Sequence, residues 1–201
     1  LEPAVTLDGT AIQVLVNVAG LDDVADFPAE ACDGVGLTRT EFLVEKALDD
    51  EERQHALYRD LVRWAAGRPV TIRTLDAGGD KPIPGYTVDG ESNPFLGLRG
   101  IRLSLRHPRL DGPVRIMLPM VTRQDEIDET AALLEGVLVA LEAEGVPHAR
   151  PQLGVMVEVP ALALAVETVR ADFLSIGSND LTQYATAAAR DDAGAAAYAD
   201  P

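Results

Sequence analysis

The 201-residue chain has one cysteine, only 4% aromatic residues and no long apolar run. Because Cys32 is alone, no internal disulfide can form, which fits a reducing compartment and a structural or incidental thiol. So few aromatic side chains disfavour a base-stacking surface for nucleic acid. No apolar run approaches the ~18 residues of a membrane span, and no basic stretch followed by an apolar one opens the chain. We therefore expect a cytoplasmic protein that binds neither nucleic acid nor membrane.

Basic residues are also scarce, with 17 Lys and Arg against 33 Asp and Glu and a formal net charge of -16. This balance disfavours nucleic acid, which proteins bind by neutralising phosphates with Lys and Arg. The net negative charge of the chain would also repel a small anion. Exposed charges are screened beyond ~10 Å in ordinary salt, however, so arginines clustered with a bound cation can dominate inside a cleft. An anionic ligand is therefore compatible with the composition.

Five separated segments place an arginine, a carboxylate or a carboxamide at the end of a short apolar run. They are 34–43, 71–76, 93–99, 154–160 and 173–180. Such runs are typical of buried strands, which do not normally carry a charge. In alternating strand–helix folds, ligands bind where the carboxyl ends of the strands converge. Three arginines and two carboxylates meeting there suit a small, strongly anionic substrate with a divalent cation.

The whole pattern alternates strand and helix. Strands are predicted at 12–18, 34–37, 69–75, 114–120, 153–157 and 173–176. Helices are predicted at 41–66 with a break near 49–52, at 124–144, from 160 to about 170, and at 181–189 with Asn179 or Asp180 as the cap. A weaker helix is predicted at 21–30, a loop at 77–85 and a further helix from about 98. This alternation indicates an α/β fold, and a (β/α)8 barrel is the economical form because functional groups follow several strands.

Six segments resemble, in order, the motifs of the C-terminal phosphoenolpyruvate-binding domain of enzyme I of the bacterial sugar phosphotransferase system. They are 34–43, 71–81, 93–102, 116–121, 154–160 and 172–184, and together they span most of the chain. The stretch Arg-Thr-Leu-Asp-Ala-Gly-Gly-Asp-Lys at 73–81 favours enzyme I over its relatives pyruvate phosphate dikinase and phosphoenolpyruvate synthase. The stretch Arg-Asp-Asp-Ala at 190–193 is more similar to the dikinase.

The resemblance implies a (β/α)8 barrel that binds phosphoenolpyruvate (PEP) and Mg2+ at its C-terminal face. About six strand–helix units of that barrel would be present here, as one truncated domain over residues 1–201. It also implies transfer of the phosphoryl group to a histidine on a separate N-terminal domain, and then to an HPr-type carrier protein. Family members dimerise through this domain, so a homodimer is expected for the full-length protein.

Carried over motif by motif, the resemblance gives seven residues a role in binding substrate or metal. These are the phosphate-binding Arg39, Arg73, Arg99 and Arg190, the substrate-binding Asn179, and the Mg2+ ligands Glu158 and Asp180. Arg39, Arg73 and Arg190 would also be catalytic, because they would stabilise the developing charge. The chemistry favours these residue types independently, since guanidinium groups match phosphate oxygens and Mg2+ prefers one or two carboxylates with substrate oxygens and water.

Each of these residues, taken alone, also has a simpler explanation. Arg39 could pair with Glu41 two residues on, Asp180 could only cap a helix, and Arg190 could be a solvated charge in an Ala-rich tail. Glu158 is the hardest to explain in this way, because a carboxylate within an apolar run is costly unless it is paired or metal-bound. The histidines match no motif and are expected at the surface: His55, His107 and His148.

The chain departs from the family in two places. A helix that the family carries is missing between the stretches 106–110 and 112–114, and the sequence stops at residue 201, after the sixth predicted strand. The family's last two strands, its cysteine proton donor and its phosphohistidine domain then lie outside this sequence, which favours a fragment of a longer protein over a degenerate relative. Two other functions stay open: a non-catalytic module that senses PEP or docks a partner, and a dikinase-like enzyme that uses ATP through another domain.

Because the family's proton donor and phosphoacceptor lie outside this sequence, the purified chain alone is expected to form no pyruvate from PEP. A coupled lactate dehydrogenase assay with Mg2+ present measures this directly. Pyruvate formed faster than in the protein-free reaction would contradict the expectation.

Overall fold

The computed structural model describes residues 4–43, 50–76, 115–146, 148–189, 194–195 and 198. Within these ranges the strands are β1 (Ala4–Val5), β2 (Ala11–Ile12), β3 (Leu15–Val18), β4 (Gly34–Thr38), β5 (Val70–Arg73), β6 (Arg115–Leu118), β7 (Gln152–Val157) and β8 (Phe173–Ile176). The α-helices are α1 (Asp22–Ala25), α2 (Thr40–Leu43), α3 (Glu51–Ala65), α4 (Gln124–Ala143), α5 (Pro160–Leu164) and α6 (Ser178–Thr186). Two 3-10 helices lie at Ala29–Ala31 and Val166–Thr168. None of the described helices is both long and apolar enough to cross a membrane.

Six strands form one parallel sheet in which β3 to β8 lie side by side in chain order. Parallel neighbours in chain order, connected through helices, are the arrangement of a barrel-type α/β fold. The predicted fold class is therefore confirmed, with six strands of the sheet described. The strand predicted at 12–18 is divided, because β2 pairs antiparallel with β1 while β3 joins the main sheet.

Two apolar clusters hold the helices against the sheet. In the first, core residues of β3, β4 and β5 pack against α3, with Leu61 and Ala65 fully buried. In the second, residues of β6 and β7 pack against α4 and α5 through Ile127 and Leu162. The strand residues that alternate with these clusters point to the other face of the sheet, where Thr71, Arg73, Met117 and Met156 are buried.

The helix boundaries follow local signals in some places and depart from them in others. Helix α3 begins after Asp50, whose carboxylate accepts a hydrogen bond from Arg53 N at 3.0 Å, so the predicted new start near this point is confirmed. The prediction for α4 is also confirmed. The helix predicted from 160 to about 170 is shorter, because Ala165 leaves helical geometry and a 3-10 helix follows. Predictions for 77–114 fall outside the described residues.

The predicted cap of the last helix is wrong. Helix α6 begins at Ser178 with Gly177 at the cap position, and no side chain caps it. Asp180 lies inside the first turn instead and is buried. Its burial needs an explanation other than capping.

At two places in the sheet, an aspartate just before one strand makes two hydrogen bonds to the backbone near the start of the neighbouring strand. Asp172 accepts a hydrogen bond from Leu153 N through its carboxylate and donates its own N–H to Leu153 O, both at 2.8 Å. Asp33 and Val14 make the same reciprocal pair at 2.7 and 2.8 Å. In each case the aspartate directly precedes the later strand, β8 or β4. These contacts set the register of strand pairs at the amino end of the sheet.

Replacing Asp172 by alanine is expected to lower the free energy of unfolding by about 1–2 kcal/mol, because Leu153 N–H loses its acceptor near the core. Asp172→Asn keeps an acceptor oxygen and is expected to lose less. Urea unfolding followed by circular dichroism measures both. Equal losses in the two variants would contradict the assigned hydrogen bond.

Candidate functional site

The carboxyl ends of the parallel strands bring charged residues from distant segments to one edge of the sheet. Arg39 and Glu41 follow β4, Arg73 ends β5 and Asp76 comes shortly after it. Glu158 directly follows β7. Asn179 and Asp180 follow β8 at the start of α6. This edge is where strand–helix folds bind ligands.

Strand β4 contains a bulge next to this edge. On β4, Val35 and Thr38 are three positions apart, yet they pair with β3 residues that are only two apart. The register against β5 shifts in the same interval. Gly36 lies in the bulge, where a Cβ atom would come within 2.9 Å of a side-chain carbon of β3. A residue without a side chain therefore suits this position.

The bulge decides which way Arg39 faces. Val35 packs in the apolar core with Ile72, and Thr38, which pairs with Ile72, is fully buried. Val35 and Thr38 therefore share the helix-facing side of the sheet. Since side chains alternate along a strand, Arg39 faces the opposite side, where it is exposed. An unbulged strand would turn Arg39 toward the helices, and re-aiming a side chain is a common effect of bulges.

Arg73 is buried between two carboxylates. Its Nη2 lies 2.6 Å from Glu41 Oε1 and 3.3 Å from Asp76 Oδ2, and all three side chains are almost entirely buried. Its Nη1 lies 3.9 Å from Met156 Sδ. The simpler explanation of Arg39 is not supported: Glu41 pairs with Arg73, and within the described residues Arg39 makes no ion pair. Burying such a cluster is tolerable only when opposite charges meet in good geometry.

Glu158 is 1% exposed at the end of β7. Its Oε1 accepts a hydrogen bond from Met120 N at 2.8 Å. The pKa of Glu158 is raised to about 7: burial is the largest cause and the negative charges of Asp76 and then Asp180 add to it, while Met120 N–H and Arg73 oppose the rise. These charges are thus close enough to act on one another, and their net effect at Glu158 is negative.

Asp180 is buried in the first turn of α6, and Gln183 Nε2 lies 3.4 Å from Asp180 Oδ1. Asn179, one residue earlier, is exposed. Val157 and Ile176 are paired residues of β7 and β8, so Glu158 and the start of α6 follow neighbouring strand ends. Glu158 and Asp180 therefore follow neighbouring strands of the sheet.

Over residues 1–201 the chain matches the family model described as "PEP-utilising enzyme, PEP-binding domain". The chain belongs to this family. The PEP-binding domain is 40% identical over 220 residues to a phosphoenolpyruvate-protein phosphotransferase of Cupriavidus necator, covering 99% of this chain and 38% of that protein. It is 39% identical over 210 residues to a protein of the same name from Haloferax volcanii, covering 94% and 37%.

A third relative, the multiphosphoryl transfer protein of Rhodobacter capsulatus, is 39% identical over 203 residues, which cover 92% of this chain and 24% of that protein. The chain thus spans 24% to 38% of the length of these three relatives. The resemblance to enzyme I that its motifs carried is confirmed by these matches.

The structure of the PEP-binding domain brings together five of the seven residues predicted to form the site. Arg39, Arg73, Glu158, Asn179 and Asp180 all follow or end strands at the carboxyl edge. The other two predicted residues, Arg99 and Arg190, lie outside the described residues. Of the histidines, His55 and His148 are exposed as predicted, and His107 also lies outside the described part.

Four residues with a part in this geometry were missed: Glu41, Asp76, Met120 and Gly177. Asp76 had a usable signal, since it follows an apolar run together with Arg73. Met120 contributes only its backbone N–H, which it points at Glu158 from a left-handed conformation with φ 59°. No side-chain pattern could have indicated such a contribution.

The described residues fit a Mg2+ ion. Two carboxylates, Glu158 and Asp180, are buried here, and burial together with the neighbouring negative charges raises the pKa of Glu158 to about 7. A cation would offset those charges. No group of three or more His, Cys, Asp and Glu side chains suited to a metal occurs within the described ranges. Mg2+ commonly takes one or two carboxylates from the protein, and the substrate and water supply its other ligands.

In metal-free solution, Glu158→Gln is expected to stabilise the fold above pH 7 by roughly 1–3 kcal/mol. Glu158 is protonated in both folded and unfolded chains below about pH 4.5, so it gives no penalty there. Between pH 4.5 and about 7 the unfolded chain releases its proton first, so the folded state loses stability as the pH rises. Glutamine stays neutral, and its advantage should grow over this window and then level off.

Urea unfolding in EDTA at pH 5, 6, 7 and 8 measures this difference. Glu129→Gln, at an exposed position of α4, is the control for removing one carboxylate. A stability difference for Glu158→Gln that does not change with pH would show that the buried charge is not the cause.

Proposed function

We propose that this chain forms the PEP- and Mg2+-binding part of an enzyme that transfers a phosphoryl group from PEP to a histidine of a protein. The family match over the whole chain supports PEP as the substrate. Two of the relatives are named phosphoenolpyruvate-protein phosphotransferase, which supports a protein as the acceptor. The PEP-binding domain alone does not define the acceptor, so that part rests on the relatives.

The observation that carries the proposal is the meeting of arginines and buried carboxylates at one edge of the sheet. Arg73 is buried beside Asp76, whose charge also acts on Glu158. A cation held by Glu158 and Asp180 would lie next to guanidinium groups, and together they would offset the charge of PEP. The net charge of -16 on the chain then acts mostly from beyond the screening distance.

Each residue of the site contributes by binding or positioning the substrate. Arg39 is exposed and free of ion pairs within the described residues, so its guanidinium can form a paired contact with phosphate oxygens. Arg73 is held in place by Glu41 and Asp76. Its Nε is buried without a hydrogen-bond partner in the described part of the chain, which leaves a donor for a ligand.

Glu158 and Asp180 would hold Mg2+, whose charge would offset that on the phosphoryl oxygens. Asn179 is exposed at the start of α6 and can donate a hydrogen bond to the substrate. Arg99 and Arg190 complete the proposed set on the basis of their motifs alone. Phosphoryl transfer depends chiefly on such positioning and charge stabilisation, because its loose transition state needs little covalent participation from the protein.

The wider context is part of the same proposal. We place the acceptor histidine on a separate N-terminal domain and an HPr-type carrier protein after it. The full-length protein would be a cytoplasmic homodimer. These features follow from the resemblance to enzyme I.

The test is calorimetric titration of PEP into the chain with and without Mg2+, using Arg39→Ala as the variant. Arg39 is preferred to Arg73, because removing Arg73 would leave Glu41 and Asp76 buried without their partner. The wild-type chain is expected to bind PEP only with Mg2+. Arg39→Ala should weaken binding by about 10-fold to 100-fold, the range of a lost charge-assisted hydrogen bond.

Arg63→Ala is the matched control, since it removes an arginine whose side chain on α3 is 71% exposed. It is expected to bind PEP as the wild type does. A folded wild-type chain that does not bind PEP would contradict the proposal. Equal losses of affinity in the Arg39 and Arg63 variants would show that general charge, rather than the site, is responsible.

A further inference from the structure

Gly177 occupies the corner between β8 and α6, beside the end of β7. Its backbone N–H donates a hydrogen bond to Val157 O at 3.0 Å, which ties this corner to the residue before Glu158. Its φ of -92° is within reach of any residue. Backbone conformation therefore gives no reason for glycine at this position.

Position 177 requires glycine because the Glu158 side chain occupies the space that a Cβ atom would need. A Cβ atom at position 177 would lie 2.6 Å from Glu158 Oε2, 2.7 Å from Glu158 Cβ and 2.9 Å from Met156 Cγ. Real Cβ atoms essentially never approach other heavy atoms within 3.0 Å. The Glu158 carboxylate thus lies directly against the backbone of the turn that leads into the helix carrying Asp180.

The other carboxylate oxygen is held from the opposite side. Met120 N donates to Glu158 Oε1 at 2.8 Å, from beyond the end of β6. β6 and β8 are the two neighbours of β7 in the sheet. On the β6 side, the Glu158 carboxylate is therefore held by a hydrogen-bond donor. On the β8 side, it lies against Gly177, which has no side chain.

We infer that Gly177 is a positioning residue for Mg2+-dependent PEP binding: its lack of a side chain sets the place of the Glu158 carboxylate relative to Asp180. This inference rests on the proposed function. A methyl group at 177 would push the carboxylate away from the α6 turn and would also displace Met156, whose sulfur lies near Arg73. Both displacements would act on groups of the site.

Gly177→Ala is the test variant and Gly154→Ala is its matched control. A Cβ at Gly154 would collide with the Phe173 ring at 2.5 Å, on the same strand pair. That collision is four residues from Glu158, or about 13 Å along the strand. Both variants are expected to lose stability, but only one crowds the proposed metal ligand.

The first readout is the affinity for PEP in the presence of Mg2+, measured by calorimetry on the folded chain. Gly177→Ala is expected to weaken binding about 10-fold to 100-fold, as for groups that orient a metal ligand. Gly154→Ala is expected to retain affinity within about threefold, since it leaves both proposed ligands in place. Similar losses in the two variants would overturn the inference, because a merely structural role predicts them.

The second readout needs no ligand. Gly177→Ala is made in the wild-type and in the Glu158→Gly backgrounds, and thermal unfolding is measured in EDTA. If Glu158 is the obstacle, the melting temperature falls less in the Glu158→Gly background, because the clashing carboxylate and Cβ atom of Glu158 are both gone. Equal falls in the two backgrounds would overturn the contact. If Gly177→Ala alone does not fold, recovery of folding by Glu158→Gly supports the contact and its absence overturns it.

The two readouts separate the possible failures. A wild-type chain that binds no PEP with Mg2+ refutes the proposed function, whatever the stabilities show. Normal wild-type binding with unchanged affinity in Gly177→Ala refutes the positioning role alone.

Discussion

The buried contact of Arg73 with Glu41 and Asp76 is the interaction on which the carboxyl edge of the sheet depends. These three charges come from the end of β5, from the loop after it and from α2. None could be buried alone without a large desolvation cost. Their mutual pairing lets the chain hold a guanidinium rigidly at the place where the strands converge, with the Arg73 Nε donor left for a ligand.

Carboxylates buried at the same edge lower the stability of the folded chain, and the rest of the fold must offset this cost. Glu158 is buried among other carboxylates, so its charged form is disfavoured in the absence of a cation. The two apolar clusters under α3, α4 and α5 supply compensating burial on the helix-facing side of the sheet. Stability thus comes mainly from that side, whereas the site lies at the carboxyl ends of the same strands. Such a division is common, since sites that bind charged ligands are often costly to fold around.

Most of the fold was predictable because its signals are local. Apolar runs placed the main strands to within a few residues, and the apolar stripe of 124–144 placed α4. The errors have non-local causes. The run at 12–18 divides because residues 11–12 pair with residues 4–5. The last helix begins at Ser178 rather than 181 because Gly177, tied to Val157, ends the extended backbone there.

The sequence by itself determined which residue types end or follow the strands. Arg73, Glu158 and Asp180 could be identified because a charged residue at or after a short apolar run is unusual. Tertiary structure decided the rest. The face of Arg39 depends on a register shift against two other strands. Glu41 pairs with Arg73, which lies 32 residues further along the chain. Gly177 lies against Glu158, which is 19 residues before it. Contacts between separated segments arise from strand pairing and packing, and no local pattern of residues encodes their geometry.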